Sequence, residues 1–228
     1  MKLFKDRFLG KSCVIFGNGP SLTQELIDQI NNSNIASFAA NGFCLTFDKS
    51  SFRPTFVCMS NYSAIDSYGH LYPDKVVKFF KAGWREASVS PKSIENVHEL
   101  PFLCSHDLSS HGSLFIKDRN FTLNPFKENF CGDTVLLDFA IPLAYYMGFN
   151  RVILCGVDTD YSQGYFDSNY ITANHPEKLG YKSMSTGDYS IVVSGYKYCH
   201  EFFKSNDRIL CKLTESKRLG FIEKINIF

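Results

Sequence analysis

The sequence lacks an excess of charge of one sign, a membrane-spanning apolar run and a signal peptide. Its 228 residues carry 24 Lys and Arg against 23 Asp and Glu. No overall positive charge is therefore available for a nucleic-acid backbone, and we expect no nucleic-acid partner. No apolar run approaches the ~18–20 residues that span a bilayer. Residues 1–11 lack the apolar core of a secretory signal peptide, so we expect a cytoplasmic protein.

Metal-binding cysteine patterns are missing as well. The chain has eight cysteines, but no two are spaced as Cys-x-x-Cys and none precedes a histidine as Cys-x-x-His, which disfavours a structural zinc site. Cys13, Cys58 and Cys155 stand inside apolar runs, where a reduced thiol behaves as a small hydrophobic side chain. We therefore expect reduced, buried cysteines and no metal site.

The sequence does contain short apolar runs that alternate with helical patterns. Strands are predicted over 12–17, 35–40, 55–59, 76–80, 151–155 and 208–213. Helices are predicted over 22–30 and 61–71, from 133 or 134 to 147, and over 188–202. This alternation predicts one α/β domain over 1–228, with a mostly parallel sheet covered by helices on both faces. Pro142 should bend the third helix or remove one of its backbone hydrogen bonds.

The middle of the chain, 83–131, does not follow this pattern. It contains Pro91, Pro101 and Pro125 between turn signals. We expect loops with short strands there, in an irregular insert or lid.

The first candidate binding loop reads Gly-Asn-Gly-Pro-Ser-Leu over 17–22, directly after the first strand. Glycines let the backbone approach a ligand closely, and N–H groups at a helix start favour phosphate. The third glycine of a dinucleotide-binding loop is missing, and Asn41 replaces the acidic residue expected after the second strand. NAD and S-adenosylmethionine are therefore disfavoured, and amide recognition of a nucleotide is favoured over a tight turn without a ligand. The residues assigned to this site are Gly17, Asn18, Gly19, Pro20, Ser21 and Asn41, with Ser60 and Asn61 after the third strand.

The second candidate loop, 156–167, follows the strand at 151–155 and carries three carboxylates and two tyrosines. No histidine accompanies Asp158 and Asp160, so Asp158 is predicted to hold loops together by accepting backbone N–H bonds. Tyr161 and Tyr165 could donate hydrogen bonds to a departing phosphate without a metal ion, because phenols can be aimed at developing negative charge. Packing of these rings within the loop is the alternative role.

The third feature is Asn174-His175-Pro176, which belongs to a polar loop rather than an apolar helix face. A neutral imidazole with a pKa near ~6.5 can take a proton from an alcohol at cellular pH. His106 and His111, in the Ser- and His-rich stretch 105–113, are rivals for this role.

Taken together, these residues resemble the bacterial sialyltransferases of glycosyltransferase family 42. The matching features are the turn at 17–22, Asn41, Ser60, Asn61, the segment 148–158 (Gly-Phe-Asn-Arg-Val-Ile-Leu-Cys-Gly-Val-Asp), Tyr161, Gly164, Tyr165, Phe166 and Asp167. They also resemble the wider Rossmann-like superfamily that includes archaeal 6-hydroxymethylpterin diphosphokinases. The resemblance covers 12–60 and 130–215 and leaves 62–130 unmatched.

The resemblance implies a Rossmann-like, GT-A-like domain that moves sialic acid from a CMP-sugar to a hydroxyl of a surface glycan such as lipooligosaccharide or capsule. The transfer would be inverting and would need neither a metal nor a cofactor. His175 would be the general base, and Tyr161 and Tyr165 would steady the leaving phosphate. The nucleotide site would comprise Gly17, Asn18, Gly19, Pro20, Ser21, Asn41, Ser60, Asn61, Gly132, Asp133, Thr134, Gly156 and Asp158.

Two departures from the family leave the donor open between sialic acid, another nonulosonic acid and Kdo. The family's Arg before the third helix has no clear counterpart, with Lys127 the nearest cation, and the spacing around His175 is shorter. The alternatives are a pterin-type diphosphokinase, which needs Mg²⁺ and clustered acidic ligands, and a non-catalytic nucleotide-binding module. Peripheral membrane contact without a long tail, and self-association through Phe residues at 79–80, 202–203 and 228, are further expectations.

Overall fold

The computed structural model describes residues 3–87, 93–101, 123–126, 134–159, 166 and 190–227. Its strands are β1 (Ser12–Phe16), β2 (Ala36–Ala40), β3 (Phe56–Met59), β4 (Val77–Lys81), β5 (Val97–Leu100), β6 (Arg151–Cys155) and β7 (Ile209–Lys212). They form one seven-stranded sheet in the order β5-β4-β3-β2-β1-β6-β7, and every neighbouring pair is parallel. The predicted α/β class with a parallel sheet is confirmed.

Helices cover both faces of this sheet. They are α1 (Gln24–Ser33), α2 (Tyr62–Tyr68), α3 (Trp84–Ala87), α4 (Ile141–Tyr146) and α5 (Ser190–Ser205), with short 3₁₀ helices at Asn41–Thr46 and Gly69–Leu71. Cys13 and Ile15 of β1 face a cluster that includes α4 and α5. Val14 and Phe16 face the opposite cluster, which includes α1. Because both faces are covered, β1 is apolar at successive positions instead of alternating with polar residues.

The middle of the chain contributes an edge strand that the sequence analysis did not place. The described part of 83–131 contains α3 and β5, and β5 pairs with β4 at one end of the sheet. The prediction of surface phenylalanines is wrong for Phe79, Phe80 and Phe203, which are fully buried. Phe202 is half-buried, and residue 228 lies outside the described residues.

The helix before β6 adapts to Pro142 by a π-helical turn. The residues Leu136–Ala140 form this turn, and the Ile141 N–H donates to the Leu136 carbonyl, five residues back. Proline has no N–H to donate in the following position, so the widened turn lets the chain continue as α4. Of the predicted helix start, Gly132 and Asp133 lie outside the described residues. The side chain of Thr134 donates to Asp138 Oδ2 (3.1 Å), and its backbone N–H donates to the same oxygen (3.3 Å).

Lys78 is a fully buried cation on β4, the strand next to the edge strand β5. Its Nζ donates to the carbonyls of Pro73 (3.0 Å), Val76 (3.2 Å) and Glu95 (3.1 Å). Burial lowers the pKa of Lys78 from its ordinary value of 10.5. The ammonium therefore ties the segments that precede β4 and β5 together.

Lys78→Met is expected to lower the free energy of unfolding by about 1–3 kcal/mol, because buried carbonyls lose their donor. Since the folded pKa lies below the unfolded one, the unfolded chain binds more protons between the two values. The stability of the wild type relative to the variant should therefore rise as the pH approaches 10.5. Urea unfolding of both proteins at several pH values measures this difference, with Lys75→Met as the exposed control. Equal stability of Lys78→Met and Lys75→Met would contradict the role of Lys78.

The described cysteines agree with the prediction of buried thiols. Six of them are buried: Cys13, Cys44, Cys58, Cys155, Cys199 and Cys211. Burial raises the pKa of Cys44 to about 12 and that of Cys211 to about 11, so these thiols stay protonated at neutral pH. Cys104 and Cys131 lie outside the described residues. No helix among the described residues is long and apolar enough to cross a membrane.

Candidate functional site

Parallel strands end at one edge of the sheet, and the predicted binding loops leave from that edge. The turn at 17–21 follows β1, Asn41 follows β2, Ser60 and Asn61 follow β3, and 156–158 follow β6. Ligands of open parallel sheets bind at this edge, between two adjacent strands whose following connections lead away from each other across the sheet. In this sheet the two strands are β1 and β6, because the chain continues from β1 to β2 on one side and from β6 to β7 on the other.

The turn after β1 is held directly against the loop after β6. The Gly17 N–H donates to the Cys155 carbonyl (2.7 Å), and the Gly19 N–H donates to the Gly156 carbonyl (2.9 Å). The Ser21 N–H donates to Asp158 Oδ2 (3.1 Å). The predicted role of Asp158, accepting a backbone N–H to hold two loops together, is confirmed.

The two glycines of the turn make this contact possible. A Cβ atom on Gly17 would lie 2.2 Å from the Gly156 carbonyl oxygen, and one on Gly19 would lie 1.9 Å from Asp158 Oδ2. Gly156 has a φ of +68°, which an L side chain rarely adopts. On this side of the turn, therefore, the glycines serve the contact between two loops, a role that the sequence analysis did not assign to them.

Three polar side-chain atoms in this region are buried and have no hydrogen-bond partner within the described part of the chain. They are Asn18 Oδ1, Ser21 Oγ and Asn41 Oδ1. Buried polar atoms in native proteins are normally paired, and an unpaired one costs about 1–3 kcal/mol. A ligand with hydrogen-bond donors and acceptors at this edge would pair them.

The two asparagines are held in place by other groups. Asn18 Nδ2 donates to the Ala40 carbonyl at the end of β2 (3.1 Å). Asn41 has a left-handed backbone with φ of +47°, and its carbonyl accepts a hydrogen bond from the Tyr72 hydroxyl (2.7 Å). The N–H of Phe166, from the second predicted loop, donates to the Asn18 carbonyl (3.0 Å). The side-chain amide of Asn18 and the backbone of Asn41 are thus held in place before any ligand binds.

Asn61 has a local structural role at the neighbouring strand end. It caps α2, and its Oδ1 accepts from both the N–H and the Oγ of Ser63 (2.9 Å each). Among the described residues, the structure shows no hydrogen bond that joins Ser60 or Asn61 to the turn at 17–21. The remaining predicted site residues lie outside the described residues: Gly132, Asp133, Tyr161, Tyr165 and His175, and the rival histidines His106 and His111.

Two hydroxyl residues that follow β7, Thr214 and Ser216, were not among the predicted site residues. The Gly156 N–H donates to Thr214 Oγ1 (2.9 Å), and Ser216 Oγ donates to the Asp158 carbonyl (3.1 Å). The available signal was a Thr-x-Ser pattern immediately after a predicted strand. Its significance depends on β7 lying beside β6, which the order of strands along the chain does not reveal.

The described part of the site offers neutral amides and hydroxyls more than charged ligands. Among the described residues no group of three or more His, Cys, Asp or Glu side chains is placed to hold a metal ion. The carboxylate of Asp158 already accepts the Ser21 N–H. Burial, with a contribution from the Asp158 charge, raises the pKa of the neighbouring Cys155 thiol, so this thiol stays protonated.

Comparisons with known proteins give a family and a fold. A family model described as 6-hydroxymethylpterin diphosphokinase MptE-like matches residues 1–164. A search of curated proteins finds no match. Both groups in the predicted resemblance are represented, because the family model is MptE-like and similar solved structures include sialyltransferases.

Two of these solved structures illustrate the likeness. The sialyltransferase CstII from Campylobacter jejuni, solved with the substrate analogue cytidine-5′-monophosphate, is 16% identical with a TM-score of 0.53, and the match covers 96% of this chain and 86% of that one. A variant of the sialyltransferase Cst-II in complex with CMP is 14% identical with a TM-score of 0.55, covering 95% of this chain and 86% of that one. At such low identity the likeness shows the shared fold.

Proposed function

Because the chain belongs to the 6-hydroxymethylpterin diphosphokinase MptE-like family and shares its fold with sialyltransferases solved with CMP, we propose that it is a CMP-sugar-dependent glycosyltransferase. The observation that carries this proposal is the set of buried, unpaired oxygens of Asn18, Ser21 and Asn41 at the carboxyl edge of the sheet. These atoms suit the hydroxyls, amine and phosphate oxygens of a nucleotide.

The nucleotide would lie between the ends of β1, β2 and β6. The Gly17, Gly19 and Ser21 N–H groups already donate to the end of β6 and the loop after it, and Pro20 has none, so Ser21 Oγ would donate to the phosphate. Asn18 and Asn41 would recognise the ribose or the base. Gly156 and Asp158 hold that turn by accepting the Gly19 and Ser21 N–H groups. The residues Ser60, Asn61, Gly132, Asp133 and Thr134 would complete the proposed site.

The chemistry we propose is inverting transfer. His175 takes the proton of the acceptor hydroxyl, the acceptor oxygen attacks the anomeric carbon, and the bond from that carbon to the CMP phosphate oxygen breaks. Tyr161 and Tyr165 donate hydrogen bonds to the phosphate as it leaves with the electron pair, so the step needs no metal ion. The donor would carry sialic acid, a related nonulosonic acid or Kdo, and the acceptor would be a surface glycan such as lipooligosaccharide or capsule. A cytoplasmic protein with peripheral membrane contact, acting as a homo-oligomer, fits this proposal.

The family match favours a second candidate, a pterin-type diphosphokinase. That reaction transfers a diphosphoryl group and needs Mg²⁺ held by carboxylates. Inhibition by EDTA would support this candidate, and CMP release that is indifferent to EDTA would support the glycosyltransferase. Tight CMP binding without turnover of any CMP-sugar would instead indicate a non-catalytic nucleotide-binding module.

We expect CMP to raise the melting temperature more than CDP, UMP, GDP, ATP or S-adenosylmethionine, because a ligand stabilises the state that binds it. Ser21→Ala should weaken CMP binding about fivefold, the value of one hydrogen bond. It should not destabilise the free protein, because Ser21 Oγ has no partner there among the described residues. Calorimetry and urea unfolding measure the two effects.

Ser37→Ala is the matched control for this prediction. Ser37 is buried, and its Oγ accepts the Thr55 N–H (3.2 Å) between β2 and β3. This variant should lose about 1 kcal/mol of stability without any change in CMP affinity. Loss of stability in Ser21→Ala with unchanged CMP affinity would show that Ser21 stabilises the fold and does not bind the nucleotide. Selective binding of another nucleotide would argue against a CMP-sugar donor.

A further inference from the structure

The loop that follows β7 supports the candidate site from outside the region that matches the family. We infer that Thr214 and Ser216 are positioning residues for the nucleotide site, an inference that rests on the proposed function. Together with Lys212 they form what we call the β7 brace. All three lie beyond residue 164, where the family match ends.

The brace contacts the loop after β6 at two points. Thr214 Oγ1 accepts the Gly156 N–H (2.9 Å), and Ser216 Oγ donates to the Asp158 carbonyl (3.1 Å). Both hydroxyl residues are buried. The two bonds therefore hold the loop at its first and third residues, where water does not compete for the backbone groups.

The brace is itself fixed to the sheet. Lys212 is buried, and its Nζ donates to the carbonyls of Ser216 (3.2 Å) and Leu219 (2.7 Å). The Leu213 N–H donates to the Leu154 carbonyl of β6 (2.8 Å). Because the charged Lys212 group holds the loop closed on its own strand, the hydroxyls of Thr214 and Ser216 are presented in a defined place.

The residues that the brace holds are those that place the turn at 17–21. The Gly156 carbonyl accepts the Gly19 N–H, and Asp158 Oδ2 accepts the Ser21 N–H. A shift of the loop after β6 would therefore move Ser21, and through Gly19 its neighbour Asn18. The buried oxygens Asn18 Oδ1 and Ser21 Oγ have no partner among the described residues. The chain of contacts runs from the brace through this loop to the proposed nucleotide site.

Thr214→Val tests the inference, because it keeps the shape of the side chain and removes the acceptor for the Gly156 N–H. We expect amide hydrogen exchange at Gly156, Gly19 and Ser21 to become about tenfold faster. CMP should bind about three- to tenfold more weakly, as expected when one buried hydrogen bond that orders the site is lost. Thr214→Ser keeps the hydroxyl and should restore both values.

Ser37→Ala separates positioning from a general loss of stability, since it should lower stability without changing either value at the site. Should Thr214→Val fail to fold, Ser216→Ala removes the other contact of the brace and is expected to show the same pair of effects. Unchanged exchange at Gly19 and Ser21 would overturn the brace whether or not CMP binds. Faster exchange with unchanged CMP affinity would also overturn it. If the wild type binds no CMP, the proposed function fails, while the exchange measurement still decides whether the brace positions the turn.

Discussion

Replacing His175 with alanine is expected to lower kcat for donor-to-acceptor transfer by about 10²–10⁴-fold, the contribution of a positioned general base. An acceptor hydroxyl is a weak nucleophile until its proton is removed, so the bond-forming step depends on this group. The proposed nucleotide contacts come from the turn at 17–21 and Asn41, so CMP affinity should change by less than about twofold. Steady-state release of CMP and calorimetric binding measure the two quantities.

The pH dependence and the rival histidines decide whether the role belongs to His175. A base with an ordinary imidazole pKa near ~6.5 is lost to protonation below that value, so wild-type kcat/KM should fall on the acid side. This fall should disappear in His175→Ala. His106→Ala and His111→Ala should both keep the rate and the pH profile of the wild type. A loss of similar size in either rival would move the role to that residue, and full activity of His175→Ala would remove the base from the mechanism.

Most of the sheet could be predicted because burial on both faces leaves a simple pattern in the sequence. Cys13 to Phe16 and Val152 to Cys155 are continuous apolar runs, and each matches a strand within one or two residues. The edge strand β5 was not placed, because His98 and Glu99 within it are not buried and interrupt the apolar pattern. Helical adaptation to Pro142 was predicted, but its form, a π-helical turn before the proline, depends on packing that local spacing does not reveal.

Candidate site residues could be predicted from the sequence only where their position directly after a predicted strand was enough to suggest a role. Asn18, Ser21 and Asn41 were identified from their position after strands, and Asp158 from its place in a loop too poor in other ligands to hold a metal. Thr214 and Ser216 could not be identified in this way, because each is separated by 58 residues from the residue that it contacts. Their role arises only when β7 pairs with β6.

Two physical reasons require glycine at positions 17 and 19 of the turn. A Gly-x-Gly turn after a strand predicts close approach of a ligand, and the unpaired oxygens beside it agree with a ligand at this edge. The structure adds that the Gly156 backbone occupies the space that a Cβ on Gly17 would need, and that the Asp158 carboxylate occupies the space that a Cβ on Gly19 would need. The turn is therefore held between the β6 loop and the open edge, and substitutions here affect stability and binding together.

Gly17→Ala should accordingly lower the free energy of unfolding by about 3 kcal/mol, the upper range for overpacking. The added Cβ would lie 2.2 Å from the Gly156 oxygen and 2.8 Å from its carbonyl carbon, which are backbone atoms and cannot rotate away. Either the turn or the loop after β6 must move, and both the Gly19 and Ser21 hydrogen bonds would be strained. CMP affinity should fall at least about tenfold for the same reason.

Gly220→Ala is the matched control, because a Cβ there would meet only the Lys217 carbonyl oxygen, at an ordinary 3.7 Å. That variant should stay within about 0.5 kcal/mol of the wild type and keep its CMP affinity. Urea unfolding and calorimetry of the two variants under the same conditions measure the contrast. Because the clash is with backbone, Asp158→Ala in the Gly17→Ala background should not restore stability. Recovery in that double variant would mean that the loop after β6 yields easily and that its contact with Gly17 does not determine the geometry of the turn.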